Sequence, residues 1–426
     1  MPVDTSPSSG STVGPPRRLL GRRTRLAALI AVVGPGLLAG LSDDDPAGIT
    51  TYSTLGAEYG YQLLWVLVAA TVALVLFHDL ASRMGVVTGQ GLIGLVRDRF
   101  GVRVAAMALA VLLVANLGTT AAEFAGVAAG FELFGVSRYL SVPLAAVGVS
   151  WLVLRGSFHR VEHVLLALGA LFTTYVVSAV LAHPDWGEAA RGLVVPSLPM
   201  DASAVVLVTA AVGTTLAPWG LSFIQSYAVD KKLSTDDLRY ERVDVVTGAL
   251  LTGVIGVFVV IACAATLHQS GVTIRSAADA ADALRPVAGD LAGALFAVGL
   301  IGAAILAASV LPLSTAYSVC EFVGSDAAVD DHFADAKLFY VAYGLTVTAA
   351  VAFVLVPGLP LIAVLVLTQA VNAVLLLPFL VLMYRMAGDE AVMGEFRANR
   401  VERVSYLVTT VCITACVAAL GILQLV

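Results

Sequence analysis

Long apolar runs separated by short polar segments make up nearly the whole chain. Most runs hold roughly 20 residues, the length that a helix needs to cross the hydrocarbon core of a bilayer. The alternation of apolar and polar residues that is typical of membrane β-strands does not recur along them. The pattern predicts an all-α integral membrane protein with eleven spans, over residues 26–57, 61–82, 103–131, 140–155, 161–182, 202–229, 244–267, 288–320, 336–356, 359–385 and 402–425.

Composition supports the membrane assignment and excludes several other classes. Of the 426 residues, 59% are hydrophobic and 13% are charged, whereas soluble domains carry about 25% charged residues. The net charge of −6 includes no basic tract, so no nucleic-acid partner is expected. The sequence lacks a Gly-x-x-x-x-Gly-Lys-Ser/Thr motif, which argues against ATP-driven transport and an ATPase subunit. The four cysteines lie in apolar runs, so we expect them to be small packing residues and expect no disulfide framework.

The distribution of Lys and Arg predicts the orientation of the spans. Residues 1–16 are rich in Ser, Pro and Gly and are predicted to be a disordered cytoplasmic terminus, followed by a basic stretch before span 1. With that terminus inside, 20 of the 24 Lys and Arg residues fall on the inner side and 4 on the outer side. This bias predicts a multi-pass protein of a bacterial inner membrane, with a cytoplasmic N-terminus and the C-terminus outside.

Span 1 carries three consecutive carboxylates, Asp43, Asp44 and Asp45, followed by Pro46 and Gly48. Each carboxylate costs about 2.5–3.5 kcal/mol at the centre of a membrane helix. Pro46 removes a backbone donor and Gly48 loosens the chain, so we expect the helix to unwind here around a cavity. The alternative is a surface loop between two short spans, although residues 49–60 are too few to form a span of their own.

Span 6 contains a second candidate break, in residues 213–220 around Pro218. An ordinary proline kink is the simpler interpretation of this break alone. However, spans 1 and 6 are the first helices of two five-span halves, and paired interruptions in such helices indicate the binding site of a transporter. Freed carbonyls at both breaks, together with the charge of Asp45, predict a cation site.

The sequence resembles the NRAMP family of divalent metal transporters over most of its length. The resemblance implies a LeuT-type fold of two inverted five-helix repeats, here 17–185 and 186–386, with a loop and an eleventh helix in 387–426. It also implies alternating access by a monomer without a cofactor. The matching segments are Gly34-Pro-Gly, Asp45-Pro46, Gly60-Tyr61-Gln-Leu-Leu-Trp65, Arg83-Met-Gly85-Val-Val-Thr-Gly89, Glu123, Val195-Pro196-Ser197 and Ala217-Pro218.

Five positions depart from the family pattern. Gly48 replaces an asparagine ligand, Ala217 replaces a methionine whose thioether contacts the metal, and Thr214 replaces an alanine. Thr120 and Trp219 replace an aspartate and a histidine that handle protons in the family. Since a thioether favours softer metals, its loss favours hard ions. These departures resemble the NRAMP-related magnesium transporters, which implies transport of Mg²⁺ and Mn²⁺ without coupled protons.

These observations define the predicted site and its alternatives. Glu123 is predicted to line a vestibule or gate, with a structural anchor as the alternative. Other functional hypotheses are a proton-coupled Mn²⁺/Fe²⁺ symporter, a non-transporting sensor and a sodium-coupled carrier of the same fold. His78 is predicted to be a packing residue, with a pH-sensitive group as the alternative. The predicted metal-site residues are Asp43, Asp44, Asp45, Gly48, Thr214, Ala217 and Gln369.

Overall fold

The computed structural model describes residues 39–40, 42–154, 174–199, 201–285, 289–325 and 335–423, which form helices joined by short connections. A π-helical turn, Ala264–His268, directly follows the helix Leu238–Cys263. The helices are α1 (Pro46–Tyr59), α2 (Leu64–Thr88), α3 (Leu92–Phe100), α4 (Val102–Glu132), α5 (Arg138–Leu154), α6 (Thr174–Leu181), α7 (Trp186–Val194), α8 (Ala202–Thr215), α9 (Pro218–Asp230), α10 (Leu238–Cys263), α11 (Ala277–Ala281), α12 (Ala292–Val323), α13 (Lys337–Val354), α14 (Leu361–Ala387), α15 (Glu390–Met393) and α16 (Arg400–Leu423).

Within the described part of the chain, eight helical stretches are long and apolar enough to cross a membrane. They correspond to predicted spans 2, 3 and 6 to 11, and α5 is a shorter apolar helix at the position of span 4. Of span 5, only the part in α6 is described, and residues 155–173 lie outside the described residues, as does most of span 1 before the break. The membrane assignment agrees with this helical architecture.

Both predicted helix breaks are present. Residues 42–43 are helical, Asp44 and Asp45 are not, and α1 begins at Pro46. The second break lies between the end of α8 at Thr215 and the start of α9 at Pro218. The residue before each proline is extended, with φ −75° and ψ 170° at Asp45 and φ −92° and ψ 148° at Ala217, because the proline ring disfavours the helical conformation there.

The structure decides two questions about the first break. The surface-loop alternative for residues 43–48 is wrong, because Asp43, Asp44 and Asp45 are only 1–3% exposed. Gly48 was expected to loosen the chain, but it lies in the first turn of α1, because the helix resumes directly at Pro46. Proline is well suited to that first helical position, where its missing N–H would have no helical partner.

The two broken helices pack closely against their neighbours. Gly126 of α4 has no side chain where Pro46 of α1 presses against it, and a Cβ atom there would overlap the proline ring. Gly213 of α8 similarly meets the backbone of Gln369 in α14, so helices α8 and α14 approach each other closely. These contacts place the start of α1 and the end of α8 in the interior of the bundle.

The hydrophobic pattern did not predict the end of α2 or the presence of two short helices. Helix α2 continues to Thr88, six residues beyond the predicted end of span 2. The short helices α3 and α7 were not predicted, because nine residues are too few for a span and both include charged residues. Helix α3 is held by a long-range contact instead, in which the Ile93 N–H donates to the Glu321 carboxylate at 3.0 Å.

Candidate metal-transport site

Asp45 lies at the N-terminus of α1 and caps it. Its Oδ1 atom accepts a hydrogen bond from the Gly48 N–H at 2.5 Å, and its carbonyl accepts one from the Ile49 N–H at 2.9 Å. The residue is 3% exposed. A carboxylate at this position is stabilised by the positive end of the helix. The break therefore holds a negatively charged oxygen in a fixed orientation inside the bundle.

Three oxygen atoms of different kinds surround the α-carbon of Gly48. An ideal Cβ atom at this glycine would lie 2.9 Å from the Asp43 carbonyl oxygen, 3.1 Å from the Thr214 Oγ1 atom and 3.3 Å from the Asp45 Oδ1 atom. The Thr214 hydroxyl is buried and has no hydrogen-bond partner among the described residues. We call these three atoms the oxygen cluster. It joins the two breaks, and carboxylate, carbonyl and hydroxyl oxygens suit hard divalent ions.

The two prolines free further backbone oxygens by simple covalent chemistry. In an α-helix, each carbonyl accepts a hydrogen bond from the N–H four residues later. Pro46 and Pro218 have no N–H, so the carbonyls of Ser42 and Thr214 lack this bond. Ala217, which precedes the second proline, contributes only a methyl group and no side-chain cap to α9. The second break therefore offers neutral oxygens and a small side chain beside the carboxylates of the first.

The other two aspartates are buried without compensation. Asp43 is 1% exposed and Asp44 is 2% exposed, and none of their carboxyl oxygens has a hydrogen-bond partner among the described residues. Within the same residues, no three His, Cys, Asp or Glu side chains converge to hold a metal ion. The three aspartates thus do not form a ready-made carboxylate cluster. Buried carboxyl groups in this state need a cation, water or a proton.

Gln369 lies beside the last turn of α8, where its backbone meets Gly213. Its Oε1 atom accepts from the Asn372 Nδ2 group at 2.9 Å, and Asn372 also donates to the Thr119 hydroxyl at 2.8 Å. The Gln369 Nε2 group has no partner among the residues that the structure describes. The amide is therefore oriented by a network between α14 and α4 and keeps one polar group unused.

Glu123 approaches the site from α4. It is fully buried, and its carboxyl group lies near the Asp45 carboxyl group. No N–H or hydroxyl of the described residues donates to either Glu123 oxygen. Because ionised carboxylates only accept, the contact with Asp45 becomes a hydrogen bond only when one of the two groups carries a proton. The pair can therefore hold one proton between its two carboxyl groups.

Sequence reasoning missed several groups that hold the breaks in place. The Tyr52 hydroxyl and the Thr215 hydroxyl are 2.7 Å apart and join α1 to the end of α8. The spacing gives a signal for Tyr52, since it lies four residues after Gly48 and thus on the same helix face. The Thr252 hydroxyl of α10 donates to the carbonyl of Gly40, before the first break. No local pattern indicates that partner.

His78 of α2 also lies near the second break. It is 1% exposed, and neither ring nitrogen has a hydrogen-bond partner among the described residues. Its Nε2 atom lies 3.1 Å from the Cβ position of Gly220, in the first turn of α9. The burial agrees with the prediction of a packing histidine, but the prediction that its hydrogen bonds are satisfied is wrong for the described residues. The position beside a broken helix was not apparent from the sequence.

The comparisons with known proteins identify the family. The sequence model of the Nramp family, described as natural resistance-associated macrophage protein-like, matches residues 36–423. The chain belongs to the Nramp family. Nramp proteins are metal ion transporters, not enzymes. The resemblance drawn from the matching segments of the sequence is thereby confirmed.

Among Nramp relatives, the divalent metal cation transporter MntH of Burkholderia ambifaria is 33% identical over 294 residues, which are 66% of each chain. The match thus spans just under two thirds of that relative. MntH of Aeromonas hydrophila is 29% identical over 388 residues, covering 87% of this chain and 90% of the relative.

Solved structures show that this Nramp chain has the expected fold. The manganese transporter of Eremococcus coleocola superposes with a TM-score of 0.75 at 20% identity, covering 97% of this chain and 90% of that one. The nucleobase-cation-symport-1 family transporter Mhp1 superposes with a TM-score of 0.57 at 15% identity, covering 92% and 91%. The predicted LeuT-type architecture is confirmed.

Proposed function

We propose that this Nramp protein imports divalent metal ions by alternating access, with Mg²⁺ and Mn²⁺ as substrates and without coupled protons. The observation that carries the proposal is the oxygen cluster around Gly48, which draws a carboxylate, a carbonyl and a hydroxyl from both broken helices. Relatives named divalent metal cation transporters, and a structural neighbour named a manganese transporter, support the substrate class. The protein works as a monomer in a bacterial inner membrane, with no cofactor.

The proposed site assigns a separate role to each break. Asp45 supplies a direct ligand, and Asp43 and Asp44 neutralise the ion through water. The Thr214 hydroxyl or carbonyl supplies a neutral ligand, and Gln369 contributes its amide directly or through water. Gly48 and Ala217 leave room for an ion that keeps part of its hydration shell, which Mg²⁺ sheds reluctantly. Glu123 lines the vestibule.

The proposed topology makes uncoupled uptake energetically feasible. The repeats 17–185 and 186–386 place the two breaks at the same depth, and the positive-inside distribution places the N-terminus in the cytoplasm and the C-terminus outside. A divalent cation that enters a cell at a membrane potential of about −100 mV gains about 4.6 kcal/mol. This energy drives accumulation without a proton gradient.

A second candidate function is a proton-coupled Mn²⁺/Fe²⁺ symporter. The specific observation in its favour is Glu123, because its carboxyl group can share a proton with Asp45 and release it when a cation binds. Against it, Thr120 and Trp219 stand where the family resemblance implies proton-handling residues. The two candidates differ in whether metal entry acidifies the interior.

Uptake into proteoliposomes separates these candidates. The purified protein is reconstituted with a pH-sensitive dye inside, and entry of Mg²⁺, Mn²⁺ and Ca²⁺ is followed at an inside-negative potential. We expect Mg²⁺ and Mn²⁺ to enter with no change in internal pH beyond that of protein-free vesicles. Acidification that follows metal entry would refute uncoupled transport. Failure of Mg²⁺ either to enter or to compete with Mn²⁺ would refute the magnesium assignment.

A further inference from the structure

A polar cavity lies between the end of α14 and the start of α16, far along the chain from the two breaks. Its volume is about 640 Å³, and its lining includes Tyr384, Gly388, Arg397, Arg400 and Arg403. This volume is within the range of small-molecule sites in proteins. The cavity is independent of the oxygen cluster, and the proposed transport mechanism does not use it.

The cavity carries an excess of positive charge. Three arginines line it, against one acidic residue, Glu395. Arg397 is neutralised by Glu390, with Nη1 and Oε2 2.5 Å apart. Arg400 and Arg403 form no ion pair with any residue that the structure describes. Two guanidinium groups one helical turn apart are therefore available for an anion.

Two neighbouring acidic residues are already engaged elsewhere. The Glu402 carboxylate pairs with Arg83 at 3.1 Å, and Asp389 forms an ion pair with Arg99. Glu402 is further held by the Asn399 N–H at 2.8 Å. Because these groups face other partners, they do not cancel the charge of the two free arginines. Glu395, the one acidic residue in the lining, can offset at most one of these two charges, so a net positive charge is left for an external anion.

Arg403 is also oriented for binding. Its guanidinium lies 5.5 Å from the centre of the Tyr384 ring, and it packs against Gly388, where a Cβ atom would lie 3.0 Å from its Cζ atom. Stacking on an aromatic ring and on a glycine restricts the guanidinium while leaving its N–H groups free. Part of the entropic cost of holding an anion is thus met before the anion arrives.

The wall of the cavity continues into an apolar surface. Helix α16 is peripheral, and only 17% of its apolar stretch is buried. Val404 and Leu407 line the cavity and are 54% and 46% exposed, and Val408 and Val411 continue the apolar surface with exposures of 55% and 57%. In a bilayer, such side chains contact acyl chains. The cavity is therefore polar at one end and open to lipid at the other.

We propose that this cavity binds an anionic phospholipid. Arg400 and Arg403 hold the phosphate, and the acyl chains lie along Val404, Leu407 and Val411. Guanidinium groups match phosphate geometry, and basic pockets between membrane helices bind anionic headgroups. A soluble phosphate ester would use the arginines but would gain nothing from the apolar wall. The proposal does not depend on which metal is transported.

Native mass spectrometry of the full chain, extracted from nanodiscs with equal amounts of phosphatidylglycerol and phosphatidylcholine, tests this proposal. We expect the wild type to retain phosphatidylglycerol preferentially. The variant Arg400→Gln/Arg403→Gln should retain about tenfold less, since it removes both guanidinium groups that hold the phosphate. The matched control Arg103→Gln/Arg239→Gln removes two exposed arginines that do not line the cavity and should retain the wild-type amount.

Three results would overturn the proposal. The first is equal retention of both lipids by the wild type, which needs no variant. The second is an equal loss in the cavity variant and in the control. The third is displacement of phosphatidylglycerol by inorganic phosphate, which would make this a soluble-anion site. Arg400→Lys/Arg403→Lys keeps the charge but loses the guanidinium geometry, so it should retain more lipid than the glutamine variant and less than the wild type.

Discussion

The first and second breaks have nearly the same backbone and opposite chemistry. In each, an extended residue precedes a proline that starts the next helix segment. At the first break that residue is Asp45, whose carboxylate caps α1, and at the second it is Ala217, which provides no cap to α9. The comparison teaches that the two breaks share one backbone form and differ in the side chains that an ion between them would meet.

The division of charge follows from this difference. All the carboxylates of the two breaks lie in the first, and the second adds the neutral Thr214 and the small Ala217. A site with charge on one side and space on the other can hold an ion together with part of its water shell. We therefore expect substitutions at the first break to abolish transport and those at the second to change selectivity.

The largest expected effect comes from removing the charge of the first break. Asp45→Asn keeps the size and the capping oxygen but removes the charge, so we expect initial Mn²⁺ uptake into proteoliposomes to fall by about 10- to 100-fold or more.

Asp201→Asn is the matched control for this variant. Asp201 caps α8 through the Ala204 N–H three residues later, as Asp45 caps α1. The Tyr59 hydroxyl and the Ala204 N–H donate to it and hold its pKa below the usual value, so it is ionised at neutral pH and the control removes one negative charge as well. Near-normal uptake by Asp45→Asn, or an equal loss in both variants, would contradict the role of Asp45.

The next effect concerns the space between the breaks. In Gly48→Ala, the new methyl group would lie 2.9–3.3 Å from the three atoms of the oxygen cluster. We expect this overpacking to lower the free energy of unfolding by about 1–3 kcal/mol and uptake to fall roughly tenfold. The control is Gly344→Ala in α13, where no described atom lies within 4 Å of the new methyl group. Unchanged uptake by Gly48→Ala would show that the ion passes elsewhere.

Selectivity should respond to the second break. Ala217→Met adds a thioether, which favours softer metals, so the ratio of Mg²⁺ to Mn²⁺ uptake should fall at least about fivefold. Ala217→Leu adds similar bulk without sulfur and should lower both rates by the same factor. The same ratio in both variants would mean that volume, not ligand chemistry, governs selectivity here.

The smallest effect concerns the link between the breaks. Tyr52→Phe removes the 2.7 Å hydrogen bond to Thr215, which should cost about 0.5–1.5 kcal/mol of stability and lower the thermal unfolding midpoint. Tyr343→Phe is the control, because the Tyr343 hydroxyl is buried and has no hydrogen-bond partner among the described residues. A larger loss of stability in the control would refute a specific link.

The sequence predicted the parts of this architecture that depend on local chemistry. The lengths of the apolar runs predict the long helices, and proline removes a backbone donor wherever it occurs, so both breaks were predictable from Pro46 and Pro218. The short helices α3 and α7 were not, since nine residues give too little periodic pattern. Residues 161–173, which make up most of predicted span 5, lie outside the described residues.

The contacts within the candidate site could not be derived from local pattern. The approach of the Thr214 hydroxyl to Gly48 depends on how α8 packs against α1, and that of Glu123 to Asp45 depends on how Gly126 admits Pro46. Such contacts join residues that are far apart in the chain. The sequence indicated the residue types, and the packing of the helices places them around the oxygen cluster.

The location of a bound ion tests the central claim most directly. Crystals of the protein soaked with Mn²⁺ and measured for anomalous scattering should show a peak between the first turn of α1 and the last turn of α8. We expect it next to the Asp45 carboxylate and within reach of the Thr214 oxygens, and we expect it to weaken when excess Mg²⁺ is added. A peak elsewhere in the bundle, with none beside Asp45, would contradict the account.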